Sequence, residues 1–193
     1  MTHRVTRGAA ALLASAALTA ATATTASAAT WSHTDATQDV VEADSAAQTT
    51  TTDPSNAVTD ITRVDAANNR STVVVRVRTR AALPFKNFLV DIAVKTSTSR
   101  FTVTRGNLFG RSGTELDKGA QQVACKGMTF VIDRTARTAK VTLPRTCLGN
   151  PGFIKVGAGV VTMTSTGRMS WADDGLSTRV GNSLTLSPGI AKG

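Results

Sequence analysis

A series of short segments in which apolar and polar residues alternate constrains the fold of this chain more than any other feature. Residues 71–80 read STVVVRVRTR, which places three valines on one side of an extended strand and arginines on the other. The same period of two recurs in residues 88–95, 128–133 and 153–163, and turns rich in Asn, Gly and Pro separate such segments. No stretch of helical length shows a helical apolar period. We therefore predict an all-β fold, an antiparallel β-sandwich of about seven to nine strands.

The chain contains only two cysteines, Cys125 and Cys147. They flank two predicted strands that the sequence VIDRTARTAKV, residues 131–141, folds into a hairpin, so the outer ends of the strands approach each other. A metal site would need more ligands than two thiolates, and the only histidine after residue 28 is His33. A redox-active pair is normally closer in sequence, as in C-x-x-C. We predict a structural disulfide between the two cysteines.

The amino terminus has the pattern of a secretory signal peptide. Arg4 and Arg7 precede an apolar stretch of small residues, and residues 26–28 form an A-x-A processing site. Three leucines among alanines and threonines are too few for a stable membrane span. We predict that residues 1–28 are removed, that no stable membrane span remains, and that the protein is secreted and extracellular.

Charge divides the remaining 165 residues (193 − 28) unevenly. From Ala29 to Asp65 seven acidic residues accompany Arg63 alone, whereas from Ala66 onward six acidic residues accompany nineteen Lys and Arg. Residues 29–52 are rich in Thr, Ala, Asp and Gln and lack an apolar period, so we predict a flexible acidic tail. An alternative is that this tail folds back over the basic body. Residues 53–193 are the predicted β-sandwich domain.

Four segments, in this order, give the chain a resemblance to a known group. They are DPSNAVTDITRVDAANNRSTVVVRVRTR at residues 53–80, ACKG at 124–127, VTLPRTCLGNP at 141–151, and an ending that reads WADDG followed by LSPGIAKG. With these motifs the chain resembles uncharacterised small secreted β-sandwich proteins encoded in actinobacterial genomes, over about Asp53 to Gly193. The resemblance implies an exported sandwich in which Cys125 is bonded to Cys147, and it implies no activity.

Few catalytic arrangements fit the sequence. Ser–His–Asp and Cys–His catalysis need an imidazole or an equivalent base beside the nucleophile, and residues 53–193 contain no His or Tyr. No P-loop, nucleophile elbow or dinucleotide-binding glycine motif occurs. We therefore predict no catalytic residues and no cofactor.

Paired carboxylates, as glycosidases use them, are the one catalytic hypothesis left. Trp171, Asp173 and Asp174 form a weak candidate ligand site, an aromatic platform beside two acids, and Glu115 with Asp117 offers a second acidic pair. The simpler interpretation is a polar turn with Trp171 packed on the end of the sandwich.

Calcium is an alternative role for the acidic residues. Five aspartates could supply oxygen ligands: Asp53, Asp60, Asp65, Asp173 and Asp174. None of them lies in a D-x-D-x-D-G loop. We predict no metal site.

The basic residues give the strongest indication of function. Arg76, Arg78 and Arg80 form a row on one face of a predicted strand, a candidate anion-binding site. Outside the cell, the polyanion that fits is an anionic cell-wall polymer or glycan. Alternatively, the arginines only solubilise the protein and protect a sheet edge. No nucleic-acid partner is expected, because exposed aromatic residues for base stacking are scarce.

These observations together predict a secreted, monomeric and non-catalytic protein, a binding or accessory module at the cell envelope. Two alternatives remain. One is a secreted carboxylate-dependent glycan hydrolase, and the other is an inhibitor of secreted proteases that presents a loop such as residues 111–118.

Overall fold

A computed structural model describes residues 29–193, and the predicted signal peptide lies outside the described residues. The strands are β1 (Ala29–Thr34), β2 (Val41–Asp44), β3 (Thr49–Thr52), β4 (Ile61–Asn68), β5 (Thr72–Thr79), β6 (Phe88–Lys95), β7 (Arg100–Leu108), β8 (Arg111–Lys118), β9 (Gln121–Gln122), β10 (Thr129–Asp133), β11 (Thr138–Pro144), β12 (Phe153–Met163), β13 (Met169–Asp174) and β14 (Ile190–Ala191). One 3₁₀ helix spans Arg145–Leu148. No helix within residues 29–193 is long and apolar enough to cross a membrane.

The strands form two antiparallel sheets. One has five strands in the order β1-β4-β5-β11-β10. The other has nine strands, in the order β3-β2-β13-β12-β6-β7-β8-β9, with β14 paired to β12. The predicted antiparallel sandwich is confirmed. The described strands outnumber the predicted ones because several are only two to four residues long, too short to show an alternation of their own.

The alternating segments supply the core between the sheets. The five-stranded sheet contributes its inward-facing valines, such as Val75 and Val141, and the facing sheet contributes Ile92, Val156 and Val160, all completely buried. Each such side chain stabilises the fold by roughly 1.5–3 kcal/mol when it leaves water. The opposite face of β5 is left for the solvent, and it carries Arg76 and Arg78.

Residues 29–52 are part of the sandwich, so the predicted flexible tail is wrong. β1 pairs with β4 at the edge of the five-stranded sheet, whereas β2 and β3 extend the other sheet beyond β13. The stretch 35–40 crosses from one sheet to the other, and Val40 within it is completely buried. This segment is held mainly by backbone pairing to two existing edges, which needs no apolar period in its own sequence. The domain therefore includes residues 29–52, which were predicted to lie outside it.

The disulfide between Cys125 and Cys147 is present, as predicted. Cys125 precedes β10 and Cys147 lies in the 3₁₀ helix that follows β11, so the bond joins the outer ends of one hairpin. Their Cα atoms are 5.5 Å apart. Within residues 29–193 no cysteine is free.

A carboxy-terminal stretch, residues 184–187, covers the outer surface of the nine-stranded sheet along β12. The hydroxyl of Ser187 accepts a hydrogen bond from the Val156 N–H at 2.9 Å, and the Ser187 N–H donates to the Val156 carbonyl at 2.7 Å. Gly157 lies directly under this stretch, where a Cβ atom would stand only 2.3 Å from the Thr185 carbonyl oxygen. Glycine on β12 is therefore what allows the stretch to approach the sheet.

Candidate functional site

The outer surface of the five-stranded sheet carries a group of basic side chains that we call the cationic face: Arg63, Arg76, Arg78 and Lys140. Arg63 on β4 lies opposite Arg78 on β5. Lys140 on β11 lies opposite Arg76. Directly opposed residues of antiparallel strands share a face, with Cβ atoms about 4.5–5.5 Å apart. The four side chains thus occupy neighbouring positions on three adjacent strands.

One ion pair with an acidic side chain occurs among the four cations of the described cationic face. Asp65 lies opposite Arg76 in the register, but its Oδ1 accepts a hydrogen bond from Arg63 Nε at 2.7 Å. Within residues 29–193, no carboxylate oxygen lies within 4.0 Å of a charged nitrogen of Arg76, Arg78 or Lys140. These three cations are therefore available to an external anion.

Two shallow depressions lie on the cationic face. The first has a volume of about 390 Å³, and its lining includes Trp31, Ser32, Arg63 and Arg76. The second, of about 320 Å³, is bordered by Arg76 and Arg78, and also by the acidic Asp133 and the exposed hydrophobic residue Val131 on β10. A ligand on this face would meet guanidinium groups together with some apolar surface.

Arg80 does not belong to the cationic face. β5 ends at Thr79, and Arg80 turns toward Asp60, with Nε 2.8 Å from Asp60 Oδ2 in an ionic contact outside hydrogen-bonding angles. Its Nη2 donates to the Pro54 carbonyl at 2.8 Å. Of the three arginines in the predicted row, only Arg76 and Arg78 lie on the exposed face of β5. Arg63 was expected only as a possible addition to this row, and Lys140 was missed, although it alternates with buried residues on β11.

The weak candidate ligand site around Trp171 is a closed structural junction. Trp171 Nε1 donates to Glu42 Oε2 at 2.9 Å and to Asp53 Oδ2 at 3.0 Å. Asp173 and Asp174 are only 3% and 2% exposed. Adjacent positions on β13 send their side chains to opposite faces, so the two acids do not form a pair.

Each of these two acids has its own backbone partners. Asp173 Oδ2 accepts the Ile61 N–H at 2.6 Å. Asp174 accepts the N–H groups of Leu176 at 3.2 Å and Thr185 at 2.8 Å. Asp173 and Asp174 therefore do not form a pair of open carboxylates beside Trp171.

The second acidic pair lies on β8. Glu115 is exposed, and Asp117 is half-buried two residues along the same strand face. Asp117 lies close enough to Asp91 on β6 to add to the rise in the pKa of that carboxyl, which burial mainly causes. Neither Glu115 nor Asp117 lies at the Trp171 junction.

Four carboxyl groups converge at one end of the sandwich, and we call them the aspartate cluster: Asp35, Asp39, Asp60 and Asp173. Oxygen atoms of Asp39, Asp60 and Asp173 lie within 4.8 Å of one another. Asp35 stands beside them, close enough for the charge of Asp173 to affect its titration. The cluster joins the crossing 35–40, the residue that precedes β4, and β13.

Burial raises the pKa of three aspartates of the cluster, Asp35, Asp39 and Asp173. It raises the pKa of Asp35 to about 8 and the pKa of Asp173 to about 7, and neighbouring carboxylates add to both rises. Asp60 and Asp173 were among the aspartates considered for calcium, whereas Asp35 and Asp39 were missed because their segment was predicted to be a flexible tail.

Comparison with protein-family models, curated proteins and solved structures found no match to this chain.

Proposed function

We propose that this protein is an exported, non-catalytic binding module whose cationic face binds an anionic polymer of the cell envelope. The observation that carries the proposal is the placement of three cations, the exposed Arg76 and Arg78 and the half-buried Lys140, on neighbouring strand positions, with no carboxylate partner among residues 29–193. The secretory pattern of residues 1–28 and the single disulfide support a location outside the cell.

The spacing of these cations favours a polymer over a small anion. Neighbouring strands are about 4.8 Å apart, and alternate residues on one strand are about 6.6–7 Å apart. Both spacings are shorter than the Debye length of about 8 Å at physiological ionic strength, so the charges act together. Each exposed contact contributes little alone, and only a ligand with repeated charges gains from several of them.

A hydrolase is less well supported than a binding module. Asp173 and Asp174, the acids predicted to form the site with Trp171, are buried, point to opposite faces and accept backbone hydrogen bonds. Paired glycosidase carboxylates must both reach the scissile bond from an open cleft.

Sedimentation with purified cell wall across a salt series tests the proposed function. We expect wild-type retention to fall steeply between about 50 and 500 mM NaCl. The variant R76Q/R78Q should lose at least about fivefold in affinity at low salt, because two of the three free cations are gone.

The matched control for this test is K86Q/R179Q, which removes the same charge from two exposed positions outside the cationic face. Its retention should equal that of wild type. Salt-insensitive retention, or an equal loss in both double variants, would exclude the cationic face as the binding surface.

A further inference from the structure

The aspartate cluster contains buried oxygen atoms that no group in the described chain satisfies. Asp60 is completely buried, and its Oδ1 has no hydrogen-bond partner. The Asp35 side chain is only 3% exposed, and its Oδ2 also has no hydrogen-bond partner. Both carboxylate oxygens of Asp39 are also without a partner. Buried carboxylate oxygens in native proteins nearly always have a partner, so this arrangement requires one.

Protein cations do not supply the missing partner. Arg80 contacts Asp60 through Oδ2, and the Gln38 N–H donates to that same oxygen at 2.8 Å. The imidazole of His33 is 3.9 Å from Asp35 Oδ1 and is partly exposed. With all four carboxyls of the cluster ionised and Arg80 charged, the local charge would be −3, from four negative groups and one positive group. A divalent cation would reduce it to −1.

The donor set identifies the class of cation. Asp39, Asp60 and Asp173 each offer a carboxylate oxygen as a ligand. Hard cations prefer oxygen ligands of this kind. Ca²⁺ binds oxygen at about 2.3–2.6 Å, so ligands on opposite sides of one ion are roughly 5 Å apart. One carboxylate oxygen from each of the three residues lies within 4.8 Å of the others, close enough for a single Ca²⁺ ion to contact all three. Mg²⁺ needs a tighter octahedron at about 2.1 Å, and Zn²⁺ prefers nitrogen and sulfur ligands.

We propose that Asp39, Asp60 and Asp173, with Asp35 beside them, bind a calcium ion that fastens the crossing 35–40 to the sandwich. The ion would join a loop between the two sheets to the start of β4 and to β13. This inference does not depend on the proposed function of the cationic face.

Calorimetric titration of chelator-treated protein with CaCl₂ tests the proposal directly. We expect one ion per chain with a Kd at or below about 10⁻³ M, the range of extracellular calcium modules. At a free Ca²⁺ concentration of 100 Kd, the folding equilibrium constant should rise about a hundredfold, which thermal unfolding would measure. MgCl₂ at the same concentration should produce a much smaller rise.

The most informative variant is D39N, because neither oxygen of Asp39 makes a hydrogen bond that the substitution would remove. It should fold normally and weaken Ca²⁺ binding at least about tenfold through loss of one charged ligand. D60N should abolish binding. The control D133N removes an exposed carboxylate from the β10–β11 hairpin and should bind like wild type.

Three results would overturn the proposal. The first is a wild-type protein that shows neither binding heat nor a thermal shift with Ca²⁺. The second is D39N with unchanged affinity. The third is an equal response to Mg²⁺, which would indicate a non-selective acidic patch instead of a calcium site.

Discussion

Arg145 donates a hydrogen bond from Nη1 to Asn68 Oδ1, and both side chains are almost completely buried. Its Nη2 donates to the Pro151 carbonyl, and Asn68 Nδ2 donates to the Ile190 carbonyl at 3.0 Å. One buried guanidinium thereby connects the end of β4, the 3₁₀ helix and the loop that follows it. Through Asn68 the connection extends to β14. This contact gives the arginine of the P-R-T-C-L-G motif a structural role.

Replacing Arg145 with lysine should destabilise the fold despite conserving the charge. A lysine ammonium cannot reproduce the two divergent guanidinium hydrogen bonds, so a buried acceptor on Asn68 or Pro151 loses its partner. We expect R145K to lower the free energy of unfolding by about 2–4 kcal/mol. Urea denaturation measures the loss, and R70K, at an exposed position, is the control. Equal midpoints for the two variants would contradict a structural role for Arg145.

Removing the disulfide should weaken the fold without changing its architecture. The bond between Cys125 and Cys147 closes a loop with a sequence separation of 22. In the loop-entropy model, such a bond contributes roughly 3 kcal/mol. The variant C125A/C147A should lose about that amount in urea denaturation while it keeps the wild-type far-ultraviolet circular dichroism. Wild-type stability in the variant would show that the bond does not stabilise the sandwich.

Asp91 on β6 should make the stability of the protein depend on pH. Burial, with a smaller effect from the charge of Asp117, raises the pKa of Asp91, and the Thr104 hydroxyl donates to its Oδ1 at 2.7 Å. The folded state therefore holds the proton more tightly than the unfolded chain. The resulting stability is fully present below the unfolded pKa of about 3.9 and is lost as pH rises toward the folded pKa.

The variant D91N removes this ionisation and keeps an oxygen acceptor for Thr104. We expect D91N to melt at a higher temperature than wild type at pH 7 and at a similar temperature near pH 3, where both side chains are neutral. Melting curves of both proteins from about pH 3 to pH 8 would show whether this difference in melting temperature grows with pH. A difference between D91N and wild type that does not change with pH would mean that packing, not charge, explains the effect.

Alanine at Gly157 should displace the stretch that covers β12. The new Cβ would stand 2.3 Å from the Thr185 carbonyl oxygen, a backbone atom that cannot easily move away. At Gly159 the nearest atom, 2.6 Å away, is the mobile end of the Leu184 side chain. We expect G157A to cost about 2–3 kcal/mol and G159A less. G113A is the control, because its added Cβ meets no atom within 4 Å. Urea denaturation measures the three variants. Equal midpoints for G157A and G113A would show that the covering stretch does not pack closely on Gly157.

The central strands of the sandwich were predictable because side-chain alternation records which face is buried. In β5, Val73, Val75 and Val77 face the core, and Arg76 and Arg78 face outward, as the sequence indicates. The disulfide was predictable because a hairpin brings the ends of its strands together. Both features depend on residues that are near one another in the chain or that alternate regularly.

The remaining features depend on contacts between distant parts of the chain. Residues 29–52 are held mainly by backbone pairing to β4 and β13, and backbone groups leave no signature in side-chain composition. Arg80 follows the strand pattern, but β5 ends one residue earlier and Asp60 attracts its side chain. The members of the aspartate cluster come from widely separated positions, so no local spacing motif reveals it.

The segment 29–52 has a consequence for self-association. β1 covers the side of β4, and β2 with β3 covers the side of β13, so one continuous piece of chain shields an edge of each sheet. A molecule from which this piece detaches would present two bare edges, each able to accept the same piece from a neighbour. If the proposed calcium ion anchors that piece, its withdrawal would favour strand exchange between molecules, and mutual exchange of one such piece closes into a pair.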